Sequence, residues 1–189
     1  FSLYAFCQAH STAYGYSAYL SAWLKVNRPV EFFRRLFNAG GGYYPLPVYV
    51  EEARRRGVAV LPPDVNRSEA AFSAAGTAVR TGLLAVKGVG EKLAARIVAA
   101  RSQGEFRGIE DFRLRARAGE RELAALLSAS AFTSLGLDAF GDGEKEAQWR
   151  QSLGFLPGPP LAPDAPLAEA ALHRRGQRGA PPPGYADQL

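Results

Sequence analysis

Two glycines one residue apart, followed at once by a helix, constrain this chain more than any other feature. The stretch Val86-Lys87-Gly88-Val89-Gly90-Glu91-Lys92-Leu93-Ala94-Ala95-Arg96-Ile97 reads glycine, apolar, glycine, three variable residues, alanine, two variable residues, isoleucine. Glycine tolerates positive φ and lets the backbone come close to a neighbour, so Gly88 and Gly90 permit a very tight bend. Val89 between them can plug the bend into an apolar face below. The helix that opens at Glu91 turns its free N–H groups and the positive end of its dipole toward the bend, an arrangement suited to a phosphate. Ala94 allows close approach of a second helix, and Leu93, Ile97 and Val98 face a core. Lys92 and Arg96, four apart, share one face of the helix. The plainer reading of the same residues is a glycine-capped joint with no ligand. A dinucleotide site fits less well, because no third glycine follows at the fingerprint spacing.

Charge points the same way. The net charge is +5, and the stretch from Arg80 to Arg117 holds nine Lys/Arg (80, 87, 92, 96, 101, 107, 113, 115, 117) against four acids (91, 105, 110, 111). A local basic zone is the footprint of a phosphate-binding surface, although a charge cluster alone also describes a solvated helix face. At 47% hydrophobic the chain can build one ordinary core or two small ones. There is no apolar run long enough to span a membrane and no basic n-region at Phe1, so a membrane partner is not expected. The one cysteine, Cys7, cannot pair internally, which fits a reducing cytoplasm. The lack of any methionine, even at position 1, is expected of an excerpt or a processed product.

Along the chain, Tyr16, Tyr19, Leu20, Trp23 and Leu24 recur at helical spacing over 11–27, and such a stripe is expected to be core rather than a base-stacking surface. Pro29 ends this helix and opens the next, over 30–38, which Gly40-Gly41-Gly42 terminates. A third helix covers 47–56, capped by Gly57, and Val58-Ala59-Val60-Leu61 reads as a short buried strand stopped by Pro62-Pro63. Asp64-Val65-Asn66 is expected to continue as a rigid extended connection. The pattern over 79–86 suits a strand or a short helix equally. Helices follow over 91–101, 109–117 and 120–128, and another over 144–153. Eight prolines between Pro157 and Pro183 predict a linker or a disordered tail. No repeat at solenoid periods is evident. The fold class is therefore mainly α with a short strand or two, in four stretches: 1–38, 39–78, 79–136 and 137–189.

The bend and its helix resemble the helix-hairpin-helix motif, which implies sequence-independent contact with the DNA backbone through Lys87, Gly88, Val89, Gly90, Lys92 and Arg96, sometimes with a monovalent cation held by hairpin carbonyls. Lys87 stands where that family often has proline. Its usual second, degenerate half is similar to Arg121-Glu122-Leu123-Ala124-Ala125-Leu126-Leu127 with Ala131-Phe132-Thr133-Ser134-Leu135-Gly136. There, Ser130 replaces a glycine and Thr133 an aspartate, which favours packing over phosphate binding.

Three further signatures stand in one register. Phe6-Cys7-Gln8-Ala9-His10-Ser11 with Tyr14, Tyr19, Trp23-Leu24-Lys25, Pro29 and Glu31-Phe32 resembles the end of the fingers of the bacterial DNA polymerase III alpha subunit, a C-family polymerase. Arg54-Arg55-Arg56-Gly57-Val58 leading to Leu61-Pro62-Pro63-Asp64-Val65-Asn66, and Arg80-Thr81-Gly82-Leu83 leading to the bend, resemble its next two signatures. Gly41-Gly42-Tyr43-Tyr44 leans toward the shorter, error-prone branch. The resemblance covers roughly 1–136 and implies a helical end of the fingers over 1–38 and a tandem helix-hairpin-helix unit over 79–136 that grips double-stranded or primer-template DNA. It places His10 near the nucleotide triphosphate, although Gln8 stands where the family usually has lysine and His10 alone reads as a surface or helix-cap residue. Its implied partners are the rest of a polymerase (palm and thumb) and a sliding clamp. Family members hold two magnesium ions with three palm aspartates. Here the aspartates are 64, 111, 138, 142, 164 and 187, with no Asp-x-Asp pair, and the histidines are 10 and 173. This stretch alone is therefore expected to bind no metal and to carry no polymerase chemistry. The alternatives are a free-standing DNA-binding module without polymerase activity and a structural domain whose hairpin only packs.

Overall fold

The computed structural model describes residues 7–40 and 42–137. Among these are six α-helices and one small sheet: α1 (Gln8–Asn27), α2 (Pro29–Asn38), α3 (Leu46–Arg55), β1 (Val60–Leu61), β2 (Ser73–Ala75), β3 (Ala78–Arg80), α4 (Glu91–Arg101), α5 (Ile109–Ala116) and α6 (Glu120–Ser128), with 3-10 turns at Leu83–Ala85 and Thr133–Leu135. The stretch 79–86, which suited strand or helix equally, is one and then the other. β2 was not legible. The helix expected over 144–153 and the proline-rich stretch lie outside the described residues.

The sheet runs β1-β3-β2, with β1 parallel and β2 antiparallel to β3. It closes a first core with α2 and α3, built from Phe33, Phe37, Val50, Ala53, Val58, Val60, Phe72 and Val79. Phe33 and Phe37 are the i and i+4 positions of α2, whose first turn is set by Pro29. Gly57 ends α3 in the left-handed region at φ 75, where a Cβ would be strained. A second core takes Leu83, Val86, Val89, Leu93, Ala94, Ile97, Phe106, Phe112, Ala116, Ala118, Leu126 and Phe132 from α4, α5, α6 and their joints. Phe112 packs edge-on against both Phe106 and Phe132 at centroid separations of 5.1 and 5.0 Å.

The connection at Asp64-Val65-Asn66 is a hydrogen-bonded turn, not an extended segment. Asp64 Oδ1 accepts the Asn66 N–H at 2.9 Å and Asp64 O accepts the Ser68 N–H at 2.8 Å. Small polar side chains that bond their own backbone favour turns over extension. The turn joins the two cores. Asp64 Oδ2 accepts the Ser134 N–H at 3.0 Å, and the Val65 N–H donates to Ala131 O at 2.8 Å. The Asn66 amide clasps the Phe106 backbone twice, donating to O at 3.0 Å and accepting N–H at 2.8 Å. Beside it, Thr81 is buried and its Oγ1 donates to Leu61 O at 2.7 Å. A Cβ at Gly82 would lie 2.4 Å from Ala71 C and 2.6 Å from Ala70 O, so only glycine fits there.

The stripe on α1 is a second correction. Tyr16, Tyr19, Leu20, Trp23 and Leu24 are all exposed, Trp23 by 47%, and no residue of α1 is buried. Among the described residues, the helix is held at its C-terminal end. There it meets α2, and Lys25 Nζ reaches Glu52 Oε1 at 2.7 Å. Periodicity identifies an apolar face but not what covers it.

Candidate nucleic-acid interface

The 3-10 turn at Leu83–Ala85 leads into the bend. Val86 O accepts the Val89 N–H at 3.0 Å, closing a turn that carries Gly88 at φ 96. Val89 is driven into the second core and is only 7% exposed, whereas Lys87, Gly88 and Gly90 face solvent. Gly90 is the cap of α4 in extended conformation. The first helical bond belongs to Ala94, whose N–H donates to Gly90 O at 3.0 Å. The amides of residues 91–93 precede any intrahelical acceptor and point along the axis toward the bend. Leu93, Ala94 and Ile97 are buried, so the bend is plugged from below and open above, as the spacing requires.

Lys87 and Lys92 are exposed on this open side. Arg96 is not a free cation. Its Nη2 lies 3.5 Å from Glu122 Oε2, and its Nε is buried without a hydrogen-bond partner. The basic zone is likewise partly committed to structure. Arg101 donates to Ser68 O and pairs with Glu69 at 2.8 Å. Arg115 donates to Ala100 O and Gly104 O, pairs with Asp111 at 3.1 Å and lies 4.8 Å over the Phe106 ring. Arg80 donates to Pro62 O at 3.1 Å, and burial pushes its guanidinium down from the ordinary value despite the neighbouring Asp64. Of the nine cations, Lys87, Lys92, Arg107, Arg113 and Arg117 are exposed.

The second bend lies elsewhere than the sequence suggested. It is Arg117-Ala118-Gly119, between α5 and α6, and it repeats the first position for position. Arg117 takes the left-handed conformation of Gly88 at φ 51. Ala118 is buried to the same 7% as Val89. Gly119 caps α6 in extended conformation as Gly90 caps α4. Glu120-Arg121 follows as Glu91-Lys92 does, and Leu126 fills the core as Ile97 does. An arginine where the first glycine belongs hid this repeat. The echo of Gly-Glu-Lys in Gly-Glu-Arg was the signal available. Ser130 instead ends α6. Its N–H donates to Leu127 O and that of Ala131 to Leu126 O, both at 2.9 Å, the paired bonds of a helix end that usually carries glycine. Gly88 and the second repeat touch, since a Cβ on Gly88 would meet Ala125 Cβ at 3.3 Å.

Comparison with known proteins bears on this geometry. Residues 57–139 match a family model described as a helix-hairpin-helix motif. The error-prone DNA polymerase of Symbiobacterium thermophilum is 42% identical over 161 residues, covering 71% of this chain and 15% of the relative. The error-prone DNA polymerase of Burkholderia pseudomallei is 36% identical over 192 residues, 96% of this chain and 17% of the relative. The DNA polymerase III subunit alpha of Deinococcus radiodurans is 40% identical over 147 residues, 75% of this chain and 11% of the relative. The chain is homologous to one segment of these DNA polymerases. It spans less than a fifth of their length. The Asp64 turn and the bend at 86–97 both fall within the helix-hairpin-helix match.

His10 is separate from the bend. It sits in the first turn of α1, exposed, with its ring 4.5 Å from that of Tyr14. Among the described residues, no three of His, Cys, Asp and Glu gather as metal ligands. No described helix is long and apolar enough to cross a membrane.

Proposed function

We propose that the helix-hairpin-helix unit holds duplex DNA by its sugar-phosphate backbone, without regard to sequence, as the DNA-gripping part of a cytoplasmic DNA polymerase. One observation carries the reading: the Gly88–Gly90 bend is plugged from below by Val89 and open above, with Lys87 and Lys92 exposed beside it. Backbone amides and lysines at a bend suit phosphate oxygens, not base edges. Polymerisation itself belongs, in this reading, to palm aspartates and their magnesium ions outside these residues, and the segment alone is inactive. The same reading takes in a monovalent cation at the bend carbonyls, His10 near the nucleotide, and a sliding clamp as a further partner. The exposed stripe of α1 favours a part of a polymerase over a free-standing module. Burying each such aromatic is worth about 1.5–3 kcal/mol, and the palm and thumb would supply the cover.

The test is a binding titration of the full chain against unrelated duplexes at several salt concentrations. Lys87→Glu with Lys92→Glu should weaken binding about 10-fold or more on every sequence and flatten the log–log salt slope by about 2. Unchanged affinity would remove the bend from the interface. A loss confined to one sequence would instead indicate base readout.

A further inference from the structure

We infer that Glu122 limits how tightly this unit holds DNA, because its carboxylate already fills the anion position of the second bend. The inference rests on the phosphate-gripping reading above. Glu122 is the third residue of α6, the place Leu93 takes in α4. Leu93 is buried in the second core. Glu122 instead folds back over the bend, and its Oε2 accepts the Gly119 N–H at 2.9 Å. The same oxygen lies 3.5 Å from Arg96 Nη2.

One carboxylate oxygen therefore acts on both repeats. At the second bend it is held by the cap N–H, and it sets a negative charge where a phosphate approaching the first-turn amides of α6 would have to sit. At the first repeat it offsets the charge of Arg96, one of the two cations on that face of α4. Arg96 is incompletely satisfied by this pairing, since its Nε is buried with no partner. A second anion would complete it. Around Glu122, Arg117 and Arg121 are exposed. The second bend thus keeps the amide and the cations of a phosphate grip, with an internal acid seated in it. The two bends are unequal for that reason: the first is open and the second is self-capped.

Glu122→Gln separates charge from architecture, because glutamine at the third helical position still accepts the cap N–H. The full chain is titrated with unrelated duplexes by fluorescence anisotropy across a salt series, with a thermal melt of each variant. E122Q should bind about 10-fold tighter at low salt, with the log–log slope steeper by about 1, the signature of one more phosphate neutralised. Arg96→Gln closes the double-mutant cycle. Alone it should weaken binding less than it does in the E122Q background, where Arg96 is no longer offset and its loss should cancel most of the gain. Equal affinity and slope for E122Q and the parent chain, while the parent chain binds in a salt-dependent way, would overturn this inference and leave the gripping reading intact. A parent chain that binds no duplex at any salt overturns both.

Discussion

Ser130 sits at φ 55 with its Oγ buried and unpartnered. The left-handed region costs a residue with a Cβ about 1–2 kcal/mol, and a buried hydroxyl without a partner adds about 1 kcal/mol or more. The extra chain entropy of glycine offsets roughly 0.5–1 kcal/mol of any gain. Ser130→Gly should therefore stabilise the chain by about 1 kcal/mol, read as a rise in Tm of about 4 °C, and an unchanged or lower Tm would contradict the assignment. The same reasoning applied to Arg117, at φ 51, shows how a residue choice can hide a structural element. Two glycines at Gly88 and Gly90 made the first bend legible. The second takes the same path with one glycine, and single-residue patterns carry no record of φ. Asn66 and Asp64 were legible as a connection but not as a clamp, because their partners at Phe106 and Ser134 are 40 and 70 residues away.

At the level of elements, helices whose apolar stripes meet a described core agree closely with the periodicity, and α4 and α6 agree to the residue. The sheet was only partly legible because β2 and β3 are three residues each, too short for an alternation to register. Among the described residues α1 has the right pattern and no buried member, and Lys25 pairs it to Glu52 of α3. Burial pushes its carboxyl up, but the bonds and charges of Lys25 and Arg56 outweigh burial and hold it below the ordinary value. A carboxyl lowered in the folded state contributes stability that is present above its unfolded pKa and lost as pH falls through the folded one. α1 should accordingly loosen from α2 and α3 as pH falls below the ordinary carboxylate range, seen as faster amide exchange in α1 on acidification, and Lys25→Ala should produce the same loosening at neutral pH. Protection of α1 that is indifferent to both would show that other contacts hold it.

Across the whole molecule, two small cores are joined by the Asp64–Asn66 turn, by Thr81 and by the tight passage at Gly82. Asn66 satisfies both backbone groups of Phe106, so Asn66→Ala leaves a half-buried N–H and C=O without their partners, at a cost of about 1–3 kcal/mol. The loss should fall on α4–α6 first, detectable as exchange protection lost there while the α2–α3 core retains its own. Uniform loss would mean the two cores melt as one unit. The staple also has a bearing on how the chain comes off a ribosome. Every buried member of the first core is in hand by Val79. The second cannot close until Phe106, Phe112 and finally Phe132 have emerged, and Asp64 must wait across a 70-residue interval for Ser134. Long intervals are closed late because their entropy is spent before any contact repays it. During synthesis the first core can thus mature while the half that carries the two bends is still a nascent, unclosed thread.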